Sequence, residues 1–465
     1  MNGIGLVGLG VMGENLAKNI ASKGFPVVVY NRTSEKTERL VSSVKGILDI
    51  KPSYSLGQLA QMLERPRQII LMVEAGKAVD MVLEQLTPHL SRGDILFDCG
   101  NSHYKDTERR QAAMDRHGVV FMGVGVSGGE EGALKGPSVM AGGAAEGFEA
   151  SKHLWESISA KADGQPCAGY MGRGGAGHLV KMVHNGIEYA VLQLIAETYD
   201  ILKTGLAKTS DDISRIFKQW RGTELSSFLI EIAADVLAFK DPDTGLPLVE
   251  LVLDKAGQKG TGRWCVQTAA ELGVPTPSID AAVSARNISA LKALRTQLSD
   301  VYGNDSKLAG HEDIVERLRQ AYWCSMVMSF VQGLNLIQSA SQTYGYGTNI
   351  DEALRVWRAG CIIRAAVLYN LRDALKTVGD AQYLLKSDKL VEEILSRAEG
   401  WRQVIMYAKQ ADIPTPVLDA SYNYFISMTR KRLPANIIQA LRDRFGSHTY
   451  ERLDKPGVFH SSWRP

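Results

Sequence analysis

The sequence is short of the features that mark secreted, metal-binding or nucleic-acid-binding proteins. Its 465 residues include only five cysteines, with no Cys-x-x-Cys pair, and 53 basic residues face 51 acidic ones. An odd, scattered set of cysteines argues against a disulfide framework and against a structural zinc site. A formal net charge of +2 gives no global attraction to nucleic acid or to a membrane surface. We therefore expect no metal and no nucleic-acid partner, and any anionic ligand must be held by a local cluster of charges.

Long apolar runs are also missing. No stretch reaches the roughly 18 apolar residues that mark a membrane span, and the opening MNGIGLVGLG lacks the basic start of a signal peptide. We expect a cytoplasmic protein without a membrane segment. The chain is 45% hydrophobic and 22% charged, which is an ordinary globular composition with material for more than one core.

The first 176 residues alternate short apolar runs with helical periodicities. The runs predict strands at 3–10, 25–33, 67–73, 93–100, 118–129 and 137–143. Between the first strand and the following helix lies Gly8-x-Gly10-x-x-Gly13. In that setting the glycines allow a tight turn, so that a dinucleotide pyrophosphate can sit on the helix N-terminus. We predict an α/β domain of the Rossmann type, with a chance glycine-rich turn as the alternative.

The end of the second predicted strand indicates which dinucleotide binds. An NAD site usually has an Asp or Glu there for the ribose 2′-hydroxyl, whereas this chain has Asn31, Arg32 and Thr33. An acid would repel a 2′-phosphate, and a guanidinium can bind it with two parallel hydrogen bonds. We predict NADP. The alternative is that Arg32 is a solvated loop charge.

Polar and glycine-rich loops follow the later strands. In doubly wound sheets, ligands bind outside the carboxyl ends of the strands. This placement brings Asn101, Ser127, Gly128 and Gly129 near the reactive end of the cofactor. Each of these residues alone is more typical of turn chemistry, but their joint position favours a site.

The region from 177 to 433 shows helical periodicity and looks duplicated. Segment 269–289 resembles 408–428, and similar segments surround Trp220 and Trp357. This spacing is too long for a solenoid repeat, so we predict two copies of one helical unit.

Segment 177–189 is the candidate catalytic helix. At about 100° per residue, one stripe about 100° wide contains Lys181, His184, Asn185 and Glu188. Gly186 lies on the opposite, apolar face, which indicates close helix packing. Burial lowers the pKa of a lysine and raises that of a glutamate, so the pair suits proton removal from a hydroxyl and proton delivery to a carbon. An ordinary solvated helix face is the alternative.

The second copy lacks this polar set. Its corresponding helix falls at 319–334, where no Lys, His, Asn and Glu combination survives. We infer that the first copy carries the function and that the second serves packing or assembly.

Two further segments carry groups that suit anions or docking. The loop 253–264 surrounds Lys259 and Thr261 with glycines, which is typical of a phosphate cradle but lacks the Walker spacing; Arg286 lies on the next helix. These charges could instead be solvated surface groups. The last residues, 434–465, contain aromatic side chains that flexible linkers do not carry. We predict a docking segment, with another subunit as one candidate surface, and a disordered tail as the alternative.

Seven segments, in this order, resemble the decarboxylating 6-phosphogluconate dehydrogenases of the β-hydroxyacid dehydrogenase superfamily. They are GLGVMGENLAKNIASKGF, YNRT, GNSHY, GVSGGEEGALKGPSVMAGG, GHLVKMVHNGIEY, LDKAGQKGTGRW and RDRFGSHTYER. The resemblance implies a Rossmann-type domain (1–176), a duplicated all-α domain for substrate and dimerisation (177–433) and a tail (434–465) that docks on the partner of a homodimer. It also implies a pentose phosphate pathway activity, the oxidative decarboxylation of 6-phospho-D-gluconate to D-ribulose 5-phosphate and CO2 with reduction of NADP.

The resemblance also implies a role for each matching residue. Lys181 would be the general base on the C3 hydroxyl, Glu188 would protonate the enediol carbon, and no metal would be required. The carboxylate and sugar hydroxyls would be held by Asn101, Ser127, Gly128, Gly129, His184 and Asn185. The phosphate would be held by Tyr189, Lys259, Thr261 and Arg286, with Arg442 of the partner subunit and His448 of the partner subunit. The cofactor would be held by Gly8, Gly10, Val11, Met12, Gly13, Asn31, Arg32, Thr33, Val73, Glu74, Ala75 and Asn101.

Three positions depart from the family pattern. Gly10 and Ala141 stand where the family usually has alanine and proline, and Glu74 replaces a usual lysine near the cofactor. The Glu74 change bears on cofactor affinity and on the strength of the NADP preference. Two other functions remain as alternatives: a dehydrogenase of another β-hydroxy acid without decarboxylation, and a silent dinucleotide-sensing protein. Intact Lys181 and Glu188 argue against the silent protein.

Overall fold

The computed structural model describes residues 3–303 and 313–463. Its N-terminal part is a twisted sheet covered by helices on both faces. The strands are β1 (Ile4–Val7), β2 (Val27–Tyr30), β3 (Ile50–Pro52), β4 (Gln68–Leu71), β5 (Ile95–Asp98), β6 (Val120–Ser127), β7 (Ser138–Gly142), β8 (Lys161–Ala162), β9 (Gln165–Pro166), β10 (Ala168–Gly172), β11 (Tyr450–Glu451) and β12 (Val458–Phe459). The first helices are α1 (Val11–Ser22), α2 (Ser34–Ser43), α3 (Leu56–Gln61), α4 (Lys77–Leu86), α5 (Tyr104–Asp115), α6 (Gly129–Lys135) and α7 (Ala145–Ile158).

Eight strands form the main sheet in the order β10-β7-β6-β5-β4-β1-β2-β3. All neighbours run parallel except β6 and β7. Strands buried on both faces read as nearly continuous apolar runs, as β1 and β4 do. The chain order reverses between β1 and β4, which creates the crevice where such sheets bind ligands. The predicted Rossmann-type fold is confirmed.

Two strands of this sheet and one helix were not predicted from the sequence. β3 is a three-residue edge strand ending in a proline, and β10 contains two glycines, so neither has a clear apolar pattern. The glycine-rich stretch after Ser127, expected to be a loop, contains helix α6. Its N-cap residue Gly128 has φ +120°, and a Cβ there would lie 2.5 Å from the carbonyl oxygen of Gly360. A distant loop therefore packs against the start of α6.

The remainder of the described chain is helical, apart from the short antiparallel pair β11–β12 in the tail. The helices are α8 (Ala176–Asp200), α9 (Ser210–Trp220), α10 (Phe228–Ala238), α11 (Thr261–Leu272), α12 (Pro277–Ser289), α13 (Lys292–Tyr302), α14 (Ile314–Tyr344), α15 (Ile350–Val356), α16 (Val367–Val378), α17 (Asp388–Gln410), α18 (Pro416–Met428) and α19 (Ala435–Gly446). The long helices α8 and α14 pack together inside one large apolar core. In residues 3–303 and 313–463, none of the helices has the length and hydropathy of a membrane-spanning segment.

The helices repeat in order, since α8 to α12 correspond to α14 to α18. Helices α12 and α18, which begin in the two similar segments, pack against each other. The loops after α9 and α15 pair across the repeat, where the Phe228 amide donates to the Arg364 carbonyl (3.0 Å) and the Ala366 amide donates to the Ser226 carbonyl (2.8 Å). The arrangement agrees with the predicted duplication.

The long helix of each copy caps a helix of the other copy. The Glu197 carboxylate on α8 accepts from the amides of Val417 (2.8 Å) and Leu418 (2.9 Å) at the start of α18. Gln332 on α14 accepts from the Ser278 amide (3.0 Å) at the start of α12 and donates to the Ser278 hydroxyl (2.8 Å). Free amides at helix N-termini need such partners, and here they come from the opposite unit.

The C-terminal tail folds around one buried carboxylate. Asp443 accepts from the backbone amides of Thr449 (2.9 Å) and Ser461 (3.1 Å), and from the Trp463 indole. Burial alone would raise the pKa of Asp443, but these donors, with His460, hold it well below its usual range. These hydrogen bonds hold residues 443–463 of the tail together, yet α19 exposes Ile437, Ile438, Leu441 and Phe445 by 54–73%.

Candidate active site

A cleft of about 390 Å³ lies at the carboxyl ends of β1, β2 and β4. Of the predicted cofactor residues, its lining includes Gly8, Gly10, Asn31, Arg32, Thr33, Val73 and Glu74. The lining does not include Val11, Met12, Gly13, Ala75 or Asn101. Val11 and Met12 lie in the first turn of α1, where Val11 is 61% exposed.

The three glycines of the β1–α1 turn have different tasks. A Cβ on Gly8 would lie 2.4 Å from the Met72 carbonyl oxygen, and one on Gly13 would lie 1.9 Å from the Gly8 carbonyl oxygen. These two glycines are needed to close the turn. A Cβ on Gly10, the N-cap of α1, would meet nothing within 4 Å. The open space before this helix N-terminus suits an anion, so the turn fits a dinucleotide pyrophosphate.

The edge of the cleft beyond β2 is basic. Arg32 is exposed, and no described carboxylate lies within ion-pair distance of it. Lys36 on α2 lines the same cleft; its spacing of four residues from Arg32 could have indicated it. Asn31 serves the turn itself, because its side-chain oxygen accepts from the Leu9 amide (2.9 Å) and its amide group donates to the Thr33 carbonyl (3.0 Å).

The polar side chains of the α8 stripe lie close together at the carboxyl end of β6. Lys181, His184 and Asn185 are at most 8% exposed. Lys181 Nζ lies 3.5 Å from His184 Nδ1, which lies 3.1 Å from Asn185 Oδ1. His184 Nε2 lies 3.0 Å from Ser127 Oγ. Because the Asn185 oxygen only accepts, we assign the His184 proton to Nδ1, and Nε2 then accepts from the Ser127 hydroxyl.

Close packing holds this stripe in place. A Cβ on Gly186 would lie 2.5 Å from Cys265 Sγ on α11, so the prediction that Gly186 serves packing is confirmed. A Cβ on Gly125 of β6 would lie 2.5 Å from Lys181 Cβ. Asn185 Nδ2 donates to Thr261 Oγ1 (3.2 Å) at the start of α11. The polar stripe is therefore buried between β6 and α11. The alternative that it is an ordinary solvated helix face is wrong.

Burial sets the protonation of the cluster. It lowers the pKa of Lys181, although the nearby Glu188 carboxylate opposes the change. It raises the pKa of Glu188, against the attraction of Lys181 and Arg286. The pKa of His184 falls well below its usual range, because of burial and of the Lys181 charge. A neutral base, a neutral imidazole and a protonated acid are all easier to form here than in water.

Candidate phosphate-binding groups lie one turn further along α8. The Arg286 guanidinium stacks on the Tyr189 ring, 3.5 Å from its centroid. A Cβ on Gly262 would lie 2.5 Å from the same ring. Thr261 is buried as the first residue of α11, whereas Lys259 is exposed in the preceding loop.

Some predicted residues stand apart from the cluster. Asn101 is exposed in the loop after β5, whereas Gly129, at the start of α6, lies beside Ser127 of the cluster. Arg442 and His448 lie on the tail, where Arg442 donates to Gln439 of its own helix (3.1 Å). Within the described chain, no hydrogen bond or ion pair joins either tail residue to the α8 cluster.

Two contacts that help to position the site were not predicted from the sequence. His178 Nε2 donates to the Asp98 carbonyl (3.0 Å) and Nδ1 lies 2.6 Å from Thr107 Oγ1, which ties α8 to the loop that carries Asn101. The Ile362 amide, from the second helical unit, lies 3.5 Å from Ser127 Oγ. A histidine three residues before Lys181 was a visible signal for the first contact; nothing in the sequence indicated the second.

Two family models match the chain. The model described as the NAD binding domain of 6-phosphogluconate dehydrogenase matches residues 3–172, and the one described as 6-phosphogluconate dehydrogenase, C-terminal domain, matches residues 177–463. The chain belongs to the 6-phosphogluconate dehydrogenase family. The family predicted from the sequence motifs is thereby confirmed.

Relatives in this family match over their full length. The decarboxylating 6-phosphogluconate dehydrogenase of Synechococcus elongatus is 49% identical, over 99% of this chain and 98% of its own. The NADP(+)-dependent, decarboxylating enzyme of Bacillus subtilis is 47% identical over the same shares. The Plasmodium falciparum 6-phosphogluconate dehydrogenase, solved in its apo form, with NADP+ and with 6-phosphogluconate, is 40% identical. It superimposes with a TM-score of 0.96 over 99% of this chain and 100% of its own.

Proposed function

We propose that this protein catalyses the NADP-dependent oxidative decarboxylation of 6-phospho-D-gluconate to D-ribulose 5-phosphate and CO2. The observation that carries the proposal is the buried Lys181–His184–Asn185 cluster, with Glu188 beside it, at the carboxyl end of β6. The predicted enzyme class and cofactor are confirmed by the relatives, which match at full length and carry this activity in their names.

The cofactor cleft fits NADP. Gly8 and Gly13 close the turn, Gly10 leaves space for the pyrophosphate, and Arg32 with Lys36 provides charge for a 2′-phosphate. When bound, NADP supplies the hydride acceptor. Glu74 lines the same cleft as an exposed carboxylate, so it opposes the binding of a 2′-phosphate through charge repulsion.

Lys181 is the proposed general base. As the C3 hydroxyl is oxidised, the neutral amine of Lys181 takes the hydroxyl proton. Burial favours the neutral form of this amine. His184 is held as a neutral imidazole between Ser127 and Asn185. It is therefore a hydrogen-bonding group rather than a second base in this mechanism.

Glu188 is the proposed general acid. The oxidised substrate has a ketone next to the carbon that bears the carboxylate, so loss of CO2 leaves an enediol. Glu188 then donates its proton to the carbon that carried the carboxylate. Its raised pKa, caused by burial, keeps this proton available nearer to neutral pH than on an exposed glutamate.

The remaining predicted residues hold the two ends of the substrate. We assign the carboxylate and hydroxyls to Asn101, Ser127, Gly128, Gly129, His184 and Asn185. We assign the phosphate to Tyr189, Lys259, Thr261 and Arg286. Stacking on the Tyr189 ring fixes the orientation of the planar Arg286 guanidinium, which suits bidentate binding of a phosphate.

We further propose a homodimer in which the tails are exchanged. The apolar surface that α19 leaves exposed supports this arrangement, because such patches mark interaction sites. Arg442 and His448 would then complete the phosphate site of the partner subunit. The chain divides accordingly into a cofactor part (1–176), a substrate and dimerisation part (177–433) and a docking tail (434–465).

One assay separates this function from its alternatives. The protein is supplied with 6-phosphogluconate and NADP, and NADPH and CO2 are measured together. We expect equal amounts of both products. NADPH without CO2 would indicate a dehydrogenase that does not decarboxylate, and the absence of both would indicate the silent protein.

A further inference from the structure

A second cavity, of about 450 Å³, lies where the loops after α9 and α15 meet. Three arginines line it, Arg221, Arg358 and Arg364, and we call it the arginine cavity. It shares no lining residue with the cofactor cleft or with the α8 cluster. Its volume lies in the range of about 300–1,000 Å³ that is usual for small-molecule sites.

Equivalent segments of the two helical units line the cavity. Arg221 follows Trp220 in the first unit, and Arg358 follows the equivalent Trp357 in the second. Helices α10 and α16, which are also equivalent, begin at the cavity wall with Ser227 and Ala366 as their N-caps. Helix N-termini carry partial positive charge, so two such ends reinforce the arginines.

Among the residues that line the cavity, three are arginines and one is a carboxylate. Glu231 is the one carboxylate in the lining, and it lies 3.6 Å from Arg364. Arg221 and Arg358 have carboxylate partners that do not line the cavity, Asp235 (2.9 Å) and Asp163 (2.6 Å). Arg221 also donates to the Glu231 carbonyl, and Arg358 also donates to the Arg355 carbonyl and the Gln165 side chain. Within the described structure Arg364 has only its ion pair with Glu231, so most of its five N–H donors are unused.

The stacking of two arginines on aromatic rings points to an anionic ligand with some apolar body. The Arg364 guanidinium lies over the Phe228 ring, 4.0 Å from its centroid, and Arg358 lies 5.2 Å from that of Tyr369. Stacking fixes the plane of a guanidinium, which favours two-point binding of a tetrahedral oxyanion.

We propose that the arginine cavity binds a phosphate group, carried either by inorganic phosphate or by a small sugar phosphate. This site is separate from the one that holds the substrate phosphate. The ligand would contact Arg364, two residues from Ile362, whose amide approaches Ser127 of the catalytic cluster.

Calorimetric titration tests the proposal on the full-length protein. Saturating 6-phosphogluconate and NADPH first fill the active site without turnover. Inorganic phosphate and glucose 6-phosphate are then titrated separately. We expect one additional site per chain, and at least tenfold weaker binding in the Arg221→Gln/Arg364→Gln variant. Arg402→Gln, a substitution of an exposed arginine on α17, is the matched control and should bind as the wild type does.

The two ligands identify the source of the phosphate. Tighter binding of glucose 6-phosphate would identify a sugar phosphate, and binding of inorganic phosphate alone would identify the free anion. No binding by the wild type, or equal affinity in the double variant, would overturn the proposal. NADPH binding checks the folding of each variant. If the double variant fails to fold, each single substitution must still weaken binding.

Discussion

Lys181 is the residue on which the proposed chemistry depends most. It is 7% exposed, and its amine lies beside the imidazole of His184. Lys181→Met keeps the apolar stem of the side chain but removes the amine. We expect a loss in kcat of about 10³-fold, within the range for a general base, while 6-phosphogluconate still binds. Lys218→Met, on the exposed side of α9, is the control. Appreciable turnover in Lys181→Met would exclude Lys181 as the base.

Arg32 sets the proposed preference for NADP. Arg32→Glu replaces a charged donor with a repelling carboxylate. Because a hydrogen bond to a charged group contributes roughly 1.5–3 kcal/mol, we expect NADP to bind at least about tenfold more weakly, with a much smaller change for NAD. Fluorescence titration with both cofactors measures the difference. Equal losses would show that Arg32 does not meet the 2′-phosphate, and Lys36→Gln should shift the preference in the same direction.

His178 positions the loop that carries Asn101. Its two ring nitrogens contact the Asp98 carbonyl and the Thr107 hydroxyl. His178→Leu removes both contacts, whereas His178→Gln keeps a donor and an acceptor. We expect kcat to fall by about tenfold or more in the leucine variant, since small displacements at a site cost this much or more. The glutamine variant should recover part of the loss, and the pH profile should keep its shape. Equal activity of both variants would contradict a positioning role.

At the scale of helices, each unit caps a helix of the other, through Glu197 at the start of α18 and Gln332 at the start of α12. We call these two contacts the exchanged caps, and Glu197 predicts how the stability of the fold depends on pH. Burial raises the pKa of Glu197 to about 8, against an ordinary value of 4.5. As the pH rises from about 5 to 8, the unfolded chain has already lost this proton and the folded chain still holds it. The folded state therefore loses stability over that range. One pKa unit corresponds to about 1.4 kcal/mol, so this group alone lowers the unfolding free energy by on the order of 3 kcal/mol.

Glu197→Gln should remove this pH dependence. Denaturant unfolding at pH 5 and pH 8 should show the variant gaining on the wild type as the pH rises. The side-chain amide of this variant has one acceptor oxygen for the two backbone amides of Val417 and Leu418. The Glu197→Gln variant is therefore expected to lose stability at pH 5 relative to the wild type. Adding Val417→Ser recreates the Gln332–Ser278 pair of the other unit and should restore it. An unchanged pH dependence in Glu197→Gln would contradict the buried carboxylate as its source.

Elements were predictable where a regular pattern determines them. The strand–glycine–helix unit at residues 3–24 and the polar stripe of α8 follow from period and spacing. Edge strands β3 and β10 were missed because short, glycine- or proline-containing strands have little pattern. The approach of Ile362 to Ser127 joins residues 235 positions apart, and only tertiary packing decides such a contact. The roles of individual site residues stay predictions.

At the scale of the whole molecule, exchange of tails can be tested by complementation. Lys181→Met chains and Arg442→Gln chains should each have low activity alone. Co-expressed together, they form mixed dimers in which one site combines an intact Lys181 with Arg442 of the partner subunit. We expect activity to rise well above that of either parent. No rise in purified mixed dimers would show that Arg442 does not act across the dimer.

The exchanged caps also bear on how the helical part opens. Each unit holds the first turn of a helix in the other unit, through Glu197 in one direction and Gln332 in the other. Backbone amides at the start of α12 and α18 should therefore lose protection from hydrogen exchange together, as parts of one cooperative unit. The copy without the catalytic set thus helps keep the catalytic copy closed, which gives a physical reason for its retention.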